Sequence, residues 1–518
     1  MPGQSRVGGQ AAMYTSAPMT SSTTAPLMLS VSGCRGVVGA SLTPEVVARF
    51  AGAYASWLLD RSAGRPVTVV LGRDGRAGCH MVHRAALAGL CGSGCDVIDL
   101  GVAMTPTTAV LTDAYRAQSP DAAVAGMVIT ASHNPQNWNG LKCLLAESGD
   151  HASAACAPPA KDAGSIIERF RSGPIRTAEW NDVGEITEDD SAPETHADRL
   201  LAALEESRLT DDASALARGL NVAVDSVNAS GAAGSLLFLE SLGIEEILRL
   251  GAEETGIFPR PPEPTAENLA LPGGLRDAVR ESECDIGFAQ DPDADRLAII
   301  DERGEYIGEE YTLALSTLAL LESMKRAGEP TAGLAIVTNL STSRMTDDVA
   351  ARYGARVIRT PVGEANVVEA MKREHAVLGG EGNGGTIWPR VAYVRDSLTA
   401  MALALWLISP AGAGNGKKRR LSEVIASLPA YAIRKRKTDL ASPGLAAPAL
   451  ERLAAAHKDQ HVDLRDGAWI DFRSGSLAGK AWLHVRPSNT EPILRLIAEA
   501  PTIREADAIL DQAAEFLR

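Results

Sequence analysis

Thr130-Ala131-Ser132-His133-Asn134-Pro135 sets a hydroxyl beside an imidazole directly after the apolar run Met127-Val128-Ile129. A strand ending in such a loop presents polar groups at the carboxyl edge of a sheet, where open α/β sheets keep their ligands. Ser132 is the candidate for covalent chemistry. Thr130 and Asn134 stand where a nucleophile elbow has its glycines, so an α/β-hydrolase is not indicated.

Three later stretches are suited to serve this serine. Asp291-Pro292-Asp293-Ala294-Asp295-Arg296 lies between the apolar runs Ile286–Ala289 and Leu297–Ile300. Three carboxylates at alternate positions can converge on one hard cation, Mg²⁺ or Ca²⁺. Asp291, Asp293, Asp295 and Glu302 fit the positions of an EF-hand, but Arg296 stands where that loop needs glycine and the flanks read as strands. Gly380-Glu381-Gly382-Asn383-Gly384-Gly385 falls within a run that satisfies G-x-G-x-x-G, yet Trp388-Pro389 follows where a dinucleotide site needs a helix. It reads as a tight loop offering Glu381 and Asn383 to hydroxyl groups. Arg486-Pro487-Ser488-Asn489-Thr490-Glu491-Pro492 gathers a guanidinium, two hydroxyls and an amide, the donors a phosphate dianion requires, and Arg495 adds charge. Near the start, Gly33 and Gly36 flank Arg35 and present its guanidinium to an anion.

The elements that position these loops recur. Leu27 to Val31 reads as a strand, and Thr43-Pro44-Glu45 opens a helix with Thr at the N-cap and Pro at the first helical position. Then strand, loop, helix, glycine stop and strand appear over 67–100, again over 221–250 and again over 334–358. The buried-type strands and glycine stops make each a βαβ unit. Their large, irregular spacing indicates duplicated domains, not a solenoid. Ser148 to Asp198 is polar and holds a helix around Ile166 to Phe170, while 409–420 is a glycine-rich, basic loop. The last part differs: short strands at Trp469–Phe472, Ala481–Val485 and Leu494–Ile497 precede a helix over Ile503–Leu517. The expected fold is therefore α/β, with four domains around a central cleft. The first three share a mixed-sheet βαβ core and the fourth is a smaller α+β domain. The expected limits are a disordered extension over 1–26, then 27–190, 191–301, 302–425 and 426–518.

Composition sets bounds on this reading. A chain of 518 residues exceeds one core. A hydrophobic fraction of 45% and a charged fraction of 22% are those of a globular protein. A net charge of −15 argues against general nucleic-acid binding. The 7 scattered cysteines fit reduced, buried thiols and a cytoplasmic location. No apolar run reaches membrane-spanning length, so no membrane association is expected.

Taken together and in order, Thr130–Pro135, Asp291–Arg296, Gly380–Gly384 and Arg486–Pro492 resemble the α-D-phosphohexomutases, the family of phosphoglucomutase, phosphomannomutase and phosphoglucosamine mutase. The resemblance runs from about Leu27 to Arg518. It implies that Ser132 carries a phosphoryl group and that Asp291, Asp293 and Asp295 hold Mg²⁺ with a phosphoserine oxygen as a further ligand. Arg35, Lys142 and Arg296 would offset the charge of two phosphate groups brought together. Thr360-Pro361-Val362-Gly363 matches the family's sugar-facing loop, with Thr360 and Gly363 as candidate contacts. Arg486, Ser488, Asn489, Thr490 and Arg495 would hold the distal phosphate. The implied cofactors are Mg²⁺ and a hexose 1,6-bisphosphate, the partner a phosphorylated hexose or hexosamine, and the assembly a monomer or homodimer. The chain departs from many members at Asn383, Gly385 and Glu364, which leaves Lys142 and His133 both open as the general base. Gly380–Gly385, Ser32–Gly36 and Asn137–Lys142 look most like phosphoglucosamine mutases. Phosphomannomutase/phosphoglucomutase is the alternative, and a phosphosugar-binding relative or a metal-dependent phosphatase stands behind both.

Overall fold

The computed structural model describes residues 26–146, 155–440, 443–487 and 493–517. The expected extension, apart from Pro26, lies outside them, as do Ser488, Asn489 and Thr490. Among the described residues no helix is long and apolar enough to cross a membrane.

In the first unit β1 (Met28–Ser30), β2 (Gly33–Val37), β3 (Val67–Arg73), β4 (Asp96–Val102), β5 (Ala123–Ile129), β6 (Trp138–Ala146), β7 (Ala155–Cys156) and β8 (Ile186–Glu188) form one sheet. Its order is β1-β2-β6-β5-β3-β4-β8, with β7 on β6. Within it β3 runs parallel to β4 and β5, and β6 runs antiparallel to β5. The second unit repeats this core: β9 (Asn221–Asp225), β10 (Glu246–Leu250), β11 (Ile286–Gln290) and β12 (Leu297–Asp301) order as β10-β9-β11-β12. Only β12 is antiparallel. In the third unit β13 (Ala335–Asn339), β14 (Arg356–Thr360), β15 (Leu378–Glu381) and β16 (Gly385–Ile387) do the same, as β14-β13-β15-β16. The connection from the third to the fourth core strand is thus one element used three times. It carries Ser132 after β5, the aspartates after β11 and Asn383 after β15, each at the carboxyl edge of the parallel strands.

The helices follow from local signals. Thr43 caps α1 (Pro44–Arg61) by accepting from the Val46 N–H at 3.4 Å. α2 (Cys79–Cys91), α3 (Thr105–Gln118), α4 (Ala160–Ser172) and α5 (Ala192–Glu206) complete the first unit and lead into the second, which adds α6 (Gly231–Ser241) and α7 (Leu275–Glu281). α8 (Glu309–Arg326), α9 (Met345–Arg352), α10 (Glu364–Glu374) and α11 (Ser397–Ile408) belong to the third. α11 reads Ser-Leu-Thr-Ala-Met-Ala-Leu-Ala-Leu-Trp-Leu-Ile and is buried on every side, as a helix apolar all round must be. It anchors an apolar core continuous through all three units. The fourth unit has its own core. There β17 (Ala432–Asp439), β18 (His461–Asp463), β19 (Ala468–Asp471), β20 (Trp482–Pro487) and β21 (Ile493–Ala500) form an antiparallel sheet, β17-β21-β20-β19-β18.

Two strands are not announced by local apolar periodicity. The stretch around Arg35 is strand β2, paired with β6 so that Arg35 lies opposite Gly140. Gly33 makes the tight turn from β1 at φ +97, and a Cβ there would lie 1.9 Å from the Leu141 carbonyl oxygen. Strand β17 gave no apolar signal because both of its faces carry cations: Arg434 and Arg436 pair with Asp507 and Asp511 on the last helix, while Lys435 and Lys437 face the cleft.

The Ser132 loop is clamped from beneath. Arg76 and Asp74, in the loop after β3, form a fully buried ion pair at 2.8 Å. Arg76 also donates to the carbonyls of Ser132 at 2.5 Å and Trp138 at 2.7 Å. Asp74 accepts from the Thr130 hydroxyl at 2.8 Å, and that hydroxyl in turn accepts from the Ser132 N–H at 2.8 Å. Ser132 is thereby held at φ +49, a left-handed conformation that a non-glycine residue keeps only when its surroundings impose it. Arg76→Met strands Asp74 as a buried charge and is expected to cost about 3–5 kcal/mol, read as a lower urea midpoint. Adding Asp74→Leu should recover part of that loss; a double variant no more stable than the single one would contradict this account of the clamp.

Candidate active site

A cleft of about 610 Å³ is lined by His133 of the first unit, Glu263 of the second, Glu381 and Asn383 of the third, and Arg486 and Arg495 of the fourth. Beside it Ser132 is 3% exposed. Its hydroxyl donates to Asp291 Oδ2 at 3.1 Å and lies 3.2 Å from His133 Nδ1.

Asp291, Asp293 and Asp295 are fully buried, and each offers one carboxylate oxygen to a group whose members all lie within 4.8 Å. Burial, then the charges of Asp293 and Asp295, push the Asp291 carboxyl well above the usual range. Burial and Asp295 raise Asp293 in the same way. Asp295 goes the other way: burial would raise it, but Arg395, Lys142 and Arg296 hold it below the ordinary value. Asp293 Oδ1 and Asp295 Oδ1 are buried without a hydrogen-bond partner among the described residues. Converging carboxylates with orphaned oxygens and raised proton affinity fit a hard divalent cation.

Cations surround the cluster. Lys142 Nζ is 3.2 Å from Asp295 Oδ2 and 4.0 Å from Glu364 Oε1. Burial would depress its ammonium, but Glu364, Asp295 and Asp293 hold it charged. Arg296 pairs with Glu263 at 3.4 Å and lies 3.9 Å from Asp295. Glu263 Oε1 is also 3.8 Å from His133 Nε2. Arg35 donates to Asn134 Oδ1 at 3.3 Å and feels the charges of Asp293 and Asp295.

The third unit brings residues together less directly than the sequence implied. Glu381 Oε1 accepts from Asn339 at 2.8 Å and from the Gly363 N–H at 3.2 Å. The Thr360 hydroxyl is spent on the carbonyls of Pro361 and Thr338, so Val362, not Thr360, lines the cleft from that loop. In the fourth unit Arg486 lies opposite Arg495, and Arg495 opposite Lys437, across three adjacent strands. Cross-strand partners share a face, and like charges so placed repel unless an anion lies between them. Arg486 leans on Asp466 at 3.5 Å, and Asp466 also accepts from the Val362 N–H at 3.0 Å, which ties the fourth unit to the loop 360–363 of the third.

Several functional groups escaped the sequence reading. Arg395 bridges three carboxylates: Asp295 at 2.6 Å, Glu364 at 2.7 Å and Glu381 at 3.1 Å. An Arg-Asp pair just before a wholly apolar helix is the one signal that marks it. Thr105 donates its hydroxyl to Asp293 Oδ2 at 2.7 Å from another unit, which no local pattern announces. Lys437 was hidden in the basic run Arg434–Lys437, which carries no apolar alternation to mark it as a strand.

Comparison with known proteins agrees with this geometry. Models of the phosphoglucomutase/phosphomannomutase alpha/beta/alpha domains I, II and III match residues 28–155, 198–304 and 310–431, and the C-terminal domain matches 437–516. A protein of Methanopyrus kandleri named a probable phosphoglucosamine mutase is 33% identical over 94% of this chain and 97% of its own length. A phosphoglucomutase/phosphomannomutase of Thermococcus kodakarensis is 34% identical over the same shares. Among solved structures, a phosphoglucomutase/phosphomannomutase family protein of Burkholderia thailandensis superposes with a TM-score of 0.73 at 23% identity, over 95% of this chain and 98% of that one, which establishes the fold. The chain belongs to the α-D-phosphohexomutases, the phosphoglucomutase/phosphomannomutase family.

Proposed function

We propose that the chain interconverts the 6- and 1-phosphates of a hexose through a phosphoryl group carried on Ser132. The observation that carries this reading is the serine hydroxyl, fixed in a left-handed turn 3.1 Å from one of three converging buried aspartates. Mg²⁺ held by Asp291, Asp293 and Asp295 would supply a Lewis acid for the transferring group. The protein's residues account for the remainder. Phosphoserine gives its phosphoryl group to the free hydroxyl of the sugar phosphate, breaking the Oγ–P bond as the new O–P bond forms. The hydroxyl proton passes to a base, for which Lys142 and His133 are the candidates; His133 lies 3.2 Å from Ser132 Oγ, with burial, Arg296 and Arg35 lowering its imidazole to about 2. The bisphosphorylated sugar turns over in the cleft, and Ser132 takes back the other phosphoryl group. Arg35, Lys142 and Arg296 stabilise the charge on the transferring group. Arg486 and Arg495 hold the distal phosphate with the loop 488–490, and Lys437 completes their row. Glu381 and Asn383 orient the sugar.

Glucosamine phosphate is the leading substrate, supported by the name of the relative from Methanopyrus kandleri. Mannose or glucose phosphate is the second reading, favoured by the relative from Thermococcus kodakarensis. Seven buried free thiols support a reducing, cytoplasmic setting.

Phosphorus NMR with Mg²⁺, a trace of hexose bisphosphate and each 6-phosphate offered separately tests the reaction. Formation of 1-phosphate fastest from glucosamine 6-phosphate is expected. Free phosphate alone would indicate a phosphatase, and no change in any tube a binding protein. Ser132→Ala should lower turnover by more than about 10³-fold while the protein stays folded; full activity would exclude the phosphoserine. Lys437→Ala should raise KM for the sugar phosphate about 5-fold with kcat nearly unchanged, the effect of one exposed charge contact worth about 1 kcal/mol; an unaltered KM removes Lys437 from the site. Saturating Mg²⁺ at about 100 times its Kd should stabilise the protein by about 2.7 kcal/mol. That gain, read from the unfolding midpoint, should disappear with EDTA and be absent in Asp293→Asn.

A further inference from the structure

Neither the cleft nor the aspartate loop touches His196, yet this imidazole is fully buried where the first three units meet. It projects from α5. Its Nδ1 is 2.9 Å from the hydroxyl of Thr107 on α3, and its Nε2 is 3.3 Å from Asp396 Oδ2 at the start of α11. Asp396 also caps α11, accepting from the N–H groups of Leu398 at 3.0 Å and Thr399 at 3.1 Å. Burial would raise its carboxyl, but His196 and these donors hold it below the ordinary range, so it is an ionised acceptor. Facing an ionised carboxylate, Nε2 is the donor, and Nδ1 faces the Thr107 hydroxyl.

Each end of this bridge adjoins a residue that grips the aspartate loop. Two residues before Thr107, Thr105 donates its N–H to the Asp293 carbonyl at 3.0 Å and its hydroxyl to Asp293 Oδ2 at 2.7 Å. Beside Asp396, Arg395 holds Asp295 at 2.6 Å, and the Ser397 hydroxyl donates to the Ala294 carbonyl at 2.7 Å. Ala294 sits at φ +51, so the loop needs outside support to keep its shape. The first turns of α3 and α11 are two jaws on one loop, and His196 is the side chain that spans them.

We infer that His196 is a positioning residue: a buried brace that fixes the separation of α3 and α11 and so holds Asp291, Asp293 and Asp295 in the spacing a divalent cation requires. The inference rests on the reading of those aspartates as the metal site. A displacement of well under 1 Å is enough to spoil a preorganised carboxylate cluster, and a hydrogen-bonded ring wedged between two helices resists it more than an apolar side chain of similar size.

The test uses Mn²⁺ alone, a spin-active cation that takes the same oxygen ligands, added to the purified full-length chain with free Mn²⁺ followed by electron paramagnetic resonance. His196→Leu should weaken Mn²⁺ binding about 10-fold. His196→Gln keeps a donor toward Asp396 and should stay within about 3-fold of the wild type. Leu453→Ala, in the separate core of the fourth unit, should lower the unfolding midpoint and leave Mn²⁺ binding alone, which separates the brace from general destabilisation. Wild-type affinity in folded His196→Leu overturns the brace. Should that variant not fold, Thr107→Val replaces it, with a loss of about 3-fold expected and unchanged affinity counting as refutation. A wild-type chain that binds no Mn²⁺ overturns the metal reading itself, and the brace with it.

Discussion

Three carboxylates held within 4.8 Å of one another in a buried pocket repel, and much of the surrounding structure answers that repulsion. Arg395, Lys142 and Arg296 crowd the Asp295 side, where the carboxyl is driven below its ordinary proton affinity. Asp291 and Asp293 have no comparable cover and are driven above theirs. The cluster is thus half neutralised by the protein and half left for a cation. That asymmetry places the unanswered charge on the side of Ser132, whose hydroxyl already donates to Asp291. A site fully neutralised by arginines would have little use for a metal, and one with no arginines would be hard to fold.

The same loop serves three times. In each of the first three units the connection from the third to the fourth core strand faces the centre, once as the Ser132 loop, once as the aspartate loop and once as the loop after Glu381 that carries Asn383. Parallel strands bring their carboxyl ends to one edge, so three copies packed around a shared core turn three such edges toward one cleft. The division of labour lies in the loop residues alone. Arg395 then couples two of the copies, because one guanidinium satisfies Asp295 of the aspartate loop and both Glu364 and Glu381 of the third unit. A displacement of either loop breaks contacts with both.

The fourth unit contributes charge of the opposite sign. Its antiparallel sheet lays Arg486, Arg495 and Lys437 side by side, while the alternate residues Arg434 and Arg436 are consumed by Asp507 and Asp511 behind the sheet. One basic strand therefore stabilises its own domain with one face and faces the cleft with the other. Asp466 links Arg486 to the backbone of Val362, so the cationic wall and the loop 360–363 share a carboxylate.

Much of this was legible in the chain. The serine loop, the aspartate triplet, the glutamate loop and the arginine loop are contiguous stretches whose chemistry is set by neighbours in sequence, and the thrice-repeated strand–helix–strand pattern follows from local hydrophobic periodicity. The strand at Gly33–Val37 and the basic strand at Ala432–Asp439 were not legible, because the first is defined by a glycine turn and its partner β6, and the second by acids on a distant helix. Nor did local sequence reveal that the three chemical loops occupy one topological position, or that Thr105 and Arg395 grip the aspartates. The sequence by itself determined which groups are available and on what kind of element each sits. Their proximity, and the proton affinities that make the aspartates a site for a cation, were decided only when three cores packed together, because desolvation and Coulomb coupling depend on distances across the fold, not along the chain.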